Sequence, residues 1–510
     1  MRNLFKTVAI VTVFSVCEKF LGFLYRIYMS RTVGAEGVGL YQVALSIFGF
    51  IITACCSGTP VTVSRLITKY RAENKTNRIN KVITAGLAVT ILTTLPVCLV
   101  FLLFGNSFTF LFADARCYPI FSVVLLGLVF TSIYSILRGV FWGNKDFLPY
   151  SIIELLEELC MIIAGIILIS NSYDAFTGAY SAGVAVLISY LFSFTLATIV
   201  FFVRKNKITN PKGELKPLIA SSMPVTAMRT VNSLAVSLVS VILPLRLISA
   251  GFTQSQAMSA FGAAMGQALP ILFIPTTLIG SFTLVLIPEV AENYYKKNNL
   301  SLKNDIEKAI KFTTFLTCIF IPVFFVCGEE IGIILFGGHE CGKYLSASAF
   351  LMLFMSLSSI STSMLNSIGL EQKTLIYFIV SGILMLLSIW FLPSVIGIYA
   401  LLVGFAFVYG LSTILNLKLL NKHCPIKPRY KKYTFFATLL TIPTIIFGVM
   451  LENLLLPILG IVWTFLIVSA LLVVFQGLLY LSFGIFSFDL IKGKWNSKIR
   501  FFKKRKTSTK

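Results

Sequence analysis

Most charged residues in this chain fall in short segments. Between them run apolar stretches of roughly 20 residues, the length a helix needs to cross a bilayer. From residue 6 to residue 482 there are about fourteen such stretches. A soluble chain of 510 residues would form several domains, each with a polar surface, yet only 12% of these residues are charged and 57% are apolar. The mean hydropathy of +0.89 agrees. A soluble enzyme, a disordered chain and a disulfide-stapled secreted chain are all excluded. The predicted fold class is an all-α polytopic membrane protein.

Lys and Arg number 43 against 20 Asp and Glu, a formal net charge of +23. In a soluble protein that excess would point to nucleic acid. Here the basic residues lie between apolar runs rather than on one polar face, so no nucleic-acid partner is expected. Arg65, Lys69, Arg71, Lys75, Arg78 and Lys81 fill one loop, and Arg204, Lys205, Lys207, Lys212 and Lys216 a second. Lys296, Lys297, Lys303, Lys308 and Lys311 fill a third, Lys422, Lys427, Arg429, Lys431 and Lys432 a fourth, and the tail from Lys492 belongs with them. The alternate loops hold little beyond Arg31, Arg116, Arg246 and Lys343. The positive-inside rule assigns the first set to the cytoplasm, so both termini are cytoplasmic and the span number is even. The excess charge also offers some attraction to anionic membrane lipids.

The start, MRNLFK, has the charge of a signal peptide, but its apolar run continues to Tyr28 without a small-residue cleavage site and reads as a first spanning helix. Loops of at most about 20 residues leave no room for a catalytic domain, and no enzyme activity or cofactor is expected. Cysteines scattered through the apolar runs read as small hydrophobes, with Cys327 and Cys341 as free thiols. GAEGVG (34–39) follows a membrane helix rather than a strand, so it reads as a helix stop and turn, not a phosphate loop. His339-Glu340-Cys341 and His423-Cys424 are too sparse for a metal site.

A weak internal repeat organises the spans. The segment from Ser64, SRLITKYRAENKTNRINKVI, compares with PEVAENYYKKNNLSLKNDIEKAI from Pro288, with Tyr70 on Tyr294 and Asn74 on Asn298. The expected organisation is an N-terminal lobe of six helices (1–203), a cytoplasmic linker (204–217) and a C-terminal lobe of six helices (218–420). A pair of appended helices (433–482) and a basic tail (483–510) follow. A pseudo-two-fold along the membrane normal would relate the lobes around a central cavity.

An ionised side chain at the bilayer centre costs about 2.5–3.5 kcal/mol on insertion scales, so each one needs a reason. On the first span Ser15, Lys19, Gly22 and Arg26 form one helical stripe, with Glu18 beside it. On the seventh, Arg229, Ser233, Ser237 and Ser240 form another, near Pro224. Lys19, Arg26 and Arg229, with Ser15, Ser233 and Ser237, are the expected cavity ligands of an anion, and a phosphate or pyrophosphate head suits both Arg and Lys. A Glu18–Lys19 pair with Arg26 reaching toward the outer interface is the plainer reading. Glu154 and Glu158 share a face of the fifth span beside Glu157. They would hold a coupling proton or cation with Glu18, or be stabilised by the helix dipole. Gly58-Thr59-Pro60, and Gly266, Pro270, Pro275 and Gly280, interrupt the second and eighth spans. With Pro224 and Glu289 they are the expected hinge and gate positions.

KFLGFLYRIYMSRTVGAEGVGLYQ from Lys19, GTPVTVSRL (58–66), LRGVFWGNKDFLPYSIIELLEEL (137–159) and LIPEVAENY (286–294) resemble the stage V sporulation protein B family. That family belongs to the multidrug/oligosaccharidyl-lipid/polysaccharide exporter superfamily and is related to the lipid II flippases. The resemblance implies fourteen helices in two lobes plus an appended pair, located in the bacterial cell membrane. It also implies transfer of an undecaprenyl-pyrophosphate-linked saccharide between leaflets, for peptidoglycan, spore cortex or another wall polymer. The expected protein works as a monomer by alternating access. The alternatives are a cation-coupled multidrug exporter of the same fold and a non-transporting scaffold for wall-synthesis enzymes.

Overall fold

The computed structural model describes residues 2–483, so the expected basic tail lies outside the described residues apart from Phe483. The described chain is helical throughout, with no β-strand. Packing divides it into two compact units. The first runs to Pro270 and includes Leu386–Leu401; the second runs from Ile271 to Met385 and resumes at Leu402.

The first unit is built from α1 (Arg2–Cys56), α2 (Thr59–Ala72), α3 (Thr76–Leu103), α4 (Cys117–Leu126), α5 (Leu128–Asn144), α6 (Phe147–Ile169), α7 (Ala175–Val203), α8 (Leu215–Ser249) and α9 (Gln254–Phe261). A π-helical turn, Gly262–Ala268, then leads into α10 (Leu269–Tyr295). Local chemistry sets several of these ends. Gly34 interrupts α1 with φ 75°, a left-handed value that glycine adopts freely. Pro60 occupies the first turn of α2, where its missing N–H costs nothing. Reciprocal capping boxes, Asp174 with Thr177 and Thr253 with Gln256, begin α7 and α9.

Among the described residues nine helical segments are long and apolar enough to cross a membrane, or eleven if two bent pairs each count as one span. Two of the nine, Val13–Ala72 and Lys431–Ser482, are 60 and 52 residues long. Both contain a non-helical glycine, Gly34 and Gly460, and each is long enough for two passes at about 1.5 Å per residue. A further helix, α6, has 23 residues but carries Glu154, Glu157 and Glu158. Taking these as passes recovers the fourteen spans expected from the sequence.

Lipid tails are as apolar as a leucine side chain, so dispersion and close backbone approach hold such a bundle together more than water exclusion does. The first unit has one apolar cluster around Ile67, Tyr70, Ile83, Phe141 and Phe201, and another around Tyr25, Met29, Val33 and Ile169. The segment expected to be a simple stop and turn, GAEGVG, is also a packing surface. Gly39 lies against the Met258 carbonyl, and Gly262 against the Ala35 carbonyl with Gly39 N 2.6 Å from where a β-carbon would stand. Helix follows helix here because neither residue carries a side chain.

The second unit contains Asn299–Val326, Gly328–Phe336, His339–Ser348, Leu351–Ser367 and the long Thr441–Ser482, among others. Two of its buried hydrogen bonds join neighbouring helical segments: Thr444 donates to Gln476, and Tyr480 donates to the Ala437 carbonyl at 3.2 Å. Cys327 and Cys341 are free thiols, as expected.

Candidate substrate and ion site

Within the first unit α1, α5, α6 and α7 enclose a cavity of about 340 Å³. Glu18 contributes from α1, Arg138 from α5, Glu154, Glu157 and Glu158 from α6, and Tyr190 from α7, with Tyr41 and Tyr134 completing the wall. All three residues expected to serve ion coupling, Glu18, Glu154 and Glu158, line this space. The spacing of four between Glu154 and Glu158 places them on one helix face, and α6 turns that face inward. Glu158 approaches α1 at Gly22, where a β-carbon would stand 2.7 Å from its Oε1. A glycine there is what lets the carboxyl reach the helix carrying Glu18.

Arg138 had no place in the sequence reading. Its Nη1 donates to Glu154 Oε1 at 3.1 Å, and its guanidinium lies 5.1 Å from the Trp142 ring centroid. The sequence did carry a signal: Arg138 is a basic residue within the fourth predicted span, and the test applied to Lys19 applies to it. One arginine among four carboxyls makes the cavity acidic. Tyr41, Tyr134 and Tyr190 add an aromatic part to its wall.

The residues expected to hold an anion are placed differently. Ser15, Lys19 and Arg26 are not among the lining residues of this cavity. Lys19 is exposed on α1 and has no carboxylate within ion-pair distance among the described residues. Arg26 is half-buried, its Nη1 donating at 3.0 Å to the carbonyl of Gly266 in the π-helical turn, where the ordinary helical ladder is out of register. Arg229 closes the break in the second span: its Nη1 donates to the Ser57 carbonyl at 3.0 Å, while Gly58 N–H donates to Thr226 Oγ1 at 3.1 Å. An interrupted helix at membrane depth leaves an orphan carbonyl and an orphan N–H, and α8 supplies a partner for each. Gly58 is glycine because a β-carbon there would run into the Ser222 carbonyl.

The lower part of the seventh-span stripe is committed to packing. Ser237 Oγ donates to the Ser46 carbonyl at 2.6 Å and Ser240 Oγ to Ser46 Oγ at 2.9 Å, both buried, while Ser233 is half-buried. Among the hinge and gate positions, Pro224 lies inside α8, Pro270 is the second residue of α10, and Pro275 lies inside it. Glu289 is exposed on α10 next to Pro288.

Long apolar helices, with an interrupted span and a charged cavity among them, define a multi-pass membrane protein. The chain belongs to the polysaccharide biosynthesis protein family, whose sequence profile matches residues 4–294. It is 23% identical to stage V sporulation protein B of Bacillus subtilis (strain 168) over 456 residues, covering 86% of this chain and 88% of that one. Its fold is similar to that of the lipid II flippase MurJ in an inward closed conformation, with a TM-score of 0.71 and 14% identity over 93% of this chain and 99% of that chain. An inward-facing multidrug resistance MATE family transporter of the MOP superfamily aligns with a TM-score of 0.66 and 15% identity, over 80% of this chain and 94% of that one.

Proposed function

We propose that this protein is a flippase that carries a lipid-linked saccharide, of the undecaprenyl-pyrophosphate class, across the bacterial cytoplasmic membrane for wall or spore-cortex synthesis. The observation that carries this reading is family membership in polysaccharide biosynthesis, joined to likeness in fold with a lipid II flippase over nearly the whole chain. The two predicted six-helix lobes rock about Gly58, Pro60, Pro224, Pro270 and Pro275, with Glu289 at a gate and both termini in the cytoplasm. Lys19 meets the diphosphate as an uncommitted point charge. Arg26 and Arg229 join it by releasing the Gly266 and Ser57 carbonyls as the lobes move, exchanging a neutral acceptor for an anionic one. Ser15 and Ser233 lie along the same stripes, and Ser237 keeps α8 against α1. Glu18, Glu154 and Glu158 take up the coupling proton or cation, and a monomer suffices.

The test replaces Lys19, Arg26 and Arg229 singly by alanine in a host that depends on this protein. A lost charge-assisted contact is worth about 1.5–3 kcal/mol, so transfer should fall roughly 10- to 100-fold for each variant at unchanged protein level. Normal wall or cortex synthesis in all three strains removes the diphosphate assignment. A second reading, a cation-coupled drug exporter, is favoured by one observation: the cavity of the first unit is acidic and lined by tyrosines. Efflux of cationic dyes that requires Glu154 and Glu158, with wall synthesis intact after depletion, selects that reading.

A further inference from the structure

The opposite face of α6 borders a second, larger space. Leu148, Ile152 and Leu156 of α6 and Leu196, Val200 and Val203 of α7 form an open apolar groove of about 650 Å³, with Lys145, Asp146 and Arg204 at one end. It shares no residue with the acidic cavity, whose contributions from α6 are Glu154, Glu157, Glu158 and Met161. From Leu148 to Leu156 the wall is about 12 Å long, close to one leaflet's depth of hydrocarbon. Such a groove on membrane helices faces acyl chains.

The basic end is built at a conformational disadvantage. Lys145 follows the last residue of α5 with φ 62°, and Lys205 follows α7 and Arg204 with φ 57°. Both occupy the left-handed position after a helix, where glycine is the usual occupant, and both carry a lysine instead. The helix C-terminus favours a cation there, which accounts for part of the choice. The Lys145 ammonium is exposed and has no carboxylate partner among the described residues, and Arg204 reaches Asp146 only at 3.9 Å with half its side chain exposed. Two cations against one carboxylate leave the rim positive.

We propose that this groove is a binding site for an anionic phospholipid of the surrounding leaflet. The phosphate rests on Lys145 and Arg204, and one acyl chain lies along α6 and α7. Charge complementarity selects the head and the apolar trough accepts the tail. The inference is independent of what the protein carries, because no residue proposed for the transported molecule takes part.

Native mass spectrometry of the full-length protein, reconstituted with equal phosphatidylglycerol and phosphatidylcholine of matched chains, tests it. Wild type should retain one phosphatidylglycerol in preference to phosphatidylcholine. Lys145→Gly, which suits the left-handed backbone, and Arg204→Gln should each lower that preference about five-fold. Leu156→Trp, which fills the trough, should lower retention of both lipids. Lys297→Ala, at a left-handed lysine remote in sequence from the groove, should change nothing. Equal retention of the two lipids by wild type overturns the proposal, as does a loss in Lys297→Ala matching that in Lys145→Gly. Displacement of the phosphatidylglycerol by a polyprenyl pyrophosphate also overturns it, by making the groove a seat for the transported lipid. Thermal unfolding of each variant, with Arg204→Lys as a rescue, separates loss of binding from loss of fold.

Discussion

Gly262→Ala is expected to abolish the folded protein. The new methyl group would overlap the Ala35 carbonyl and crowd Gly39 N, and both obstacles are backbone, so no side-chain rotation relieves them. Overpacking of a tight interior costs about 1–3 kcal/mol even where side chains can move. With two helix backbones forced apart, the cost should exceed that range, and the monodisperse peak on size-exclusion chromatography in detergent should be lost. Gly49→Ala is the control: it lies in α1, the helix that carries Ala35 and Gly39, and its β-carbon would meet open space. It should unfold within a few degrees of wild type, since helix propensity slightly favours alanine. A Gly262→Ala protein as stable as Gly49→Ala contradicts the packing described for the GAEGVG segment.

Arg138→Ala should produce the second-largest effect. Its partner Glu154 is mostly buried, with 16% of its side chain exposed, and three other glutamates line the same small cavity. Removing one member of a buried pair is more damaging than removing both, because the remaining charge has lost its compensation. A destabilisation of about 3 kcal/mol is expected, the lower end of the range for buried pairs, because the guanidinium keeps 32% of its surface exposed. The double variant Arg138→Ala with Glu154→Gln should recover most of that loss. Intrinsic-fluorescence unfolding of the four proteins in the cycle measures it. Equal stability of Arg138→Ala and the double variant means that the pair does not hold the cavity wall.

The sequence carried the spans well because the bilayer imposes a length on every helix, and that length can be counted without knowing any neighbour. Helix faces were equally legible. The 100° step put Glu154 and Glu158 together, and the structure turns both into one cavity. Partners across helices were not legible, because nothing local in the chain identifies them. Arg229 bonds a carbonyl 172 residues earlier, exposed by the Gly58 break, and Arg26 bonds one 240 residues later, in a π-helical turn. Periodicity says which way such a side chain points and leaves open whether an anion or a broken helix awaits it. Ser237 and Ser240 teach the same lesson. Their stripe is regular, yet the surface opposite is Ser46 on α1 and the serines close a helix–helix contact. Arg138 shows the same limit: its place within a predicted span marks it as a charge in need of a reason, but nothing local in the chain names Glu154 as its partner.

Transbilayer movement of the lipid itself tests the central claim most directly. The purified protein would be reconstituted into vesicles bearing an undecaprenyl-pyrophosphate saccharide in both leaflets, and a membrane-impermeant glycosidase would be added outside. The account predicts that the enzyme consumes the inner pool along with the outer one, and that Lys19→Ala slows consumption of the inner pool at least about ten-fold. An inner pool that stays as protected as in protein-free vesicles, while the same preparation moves a cationic dye, would contradict it.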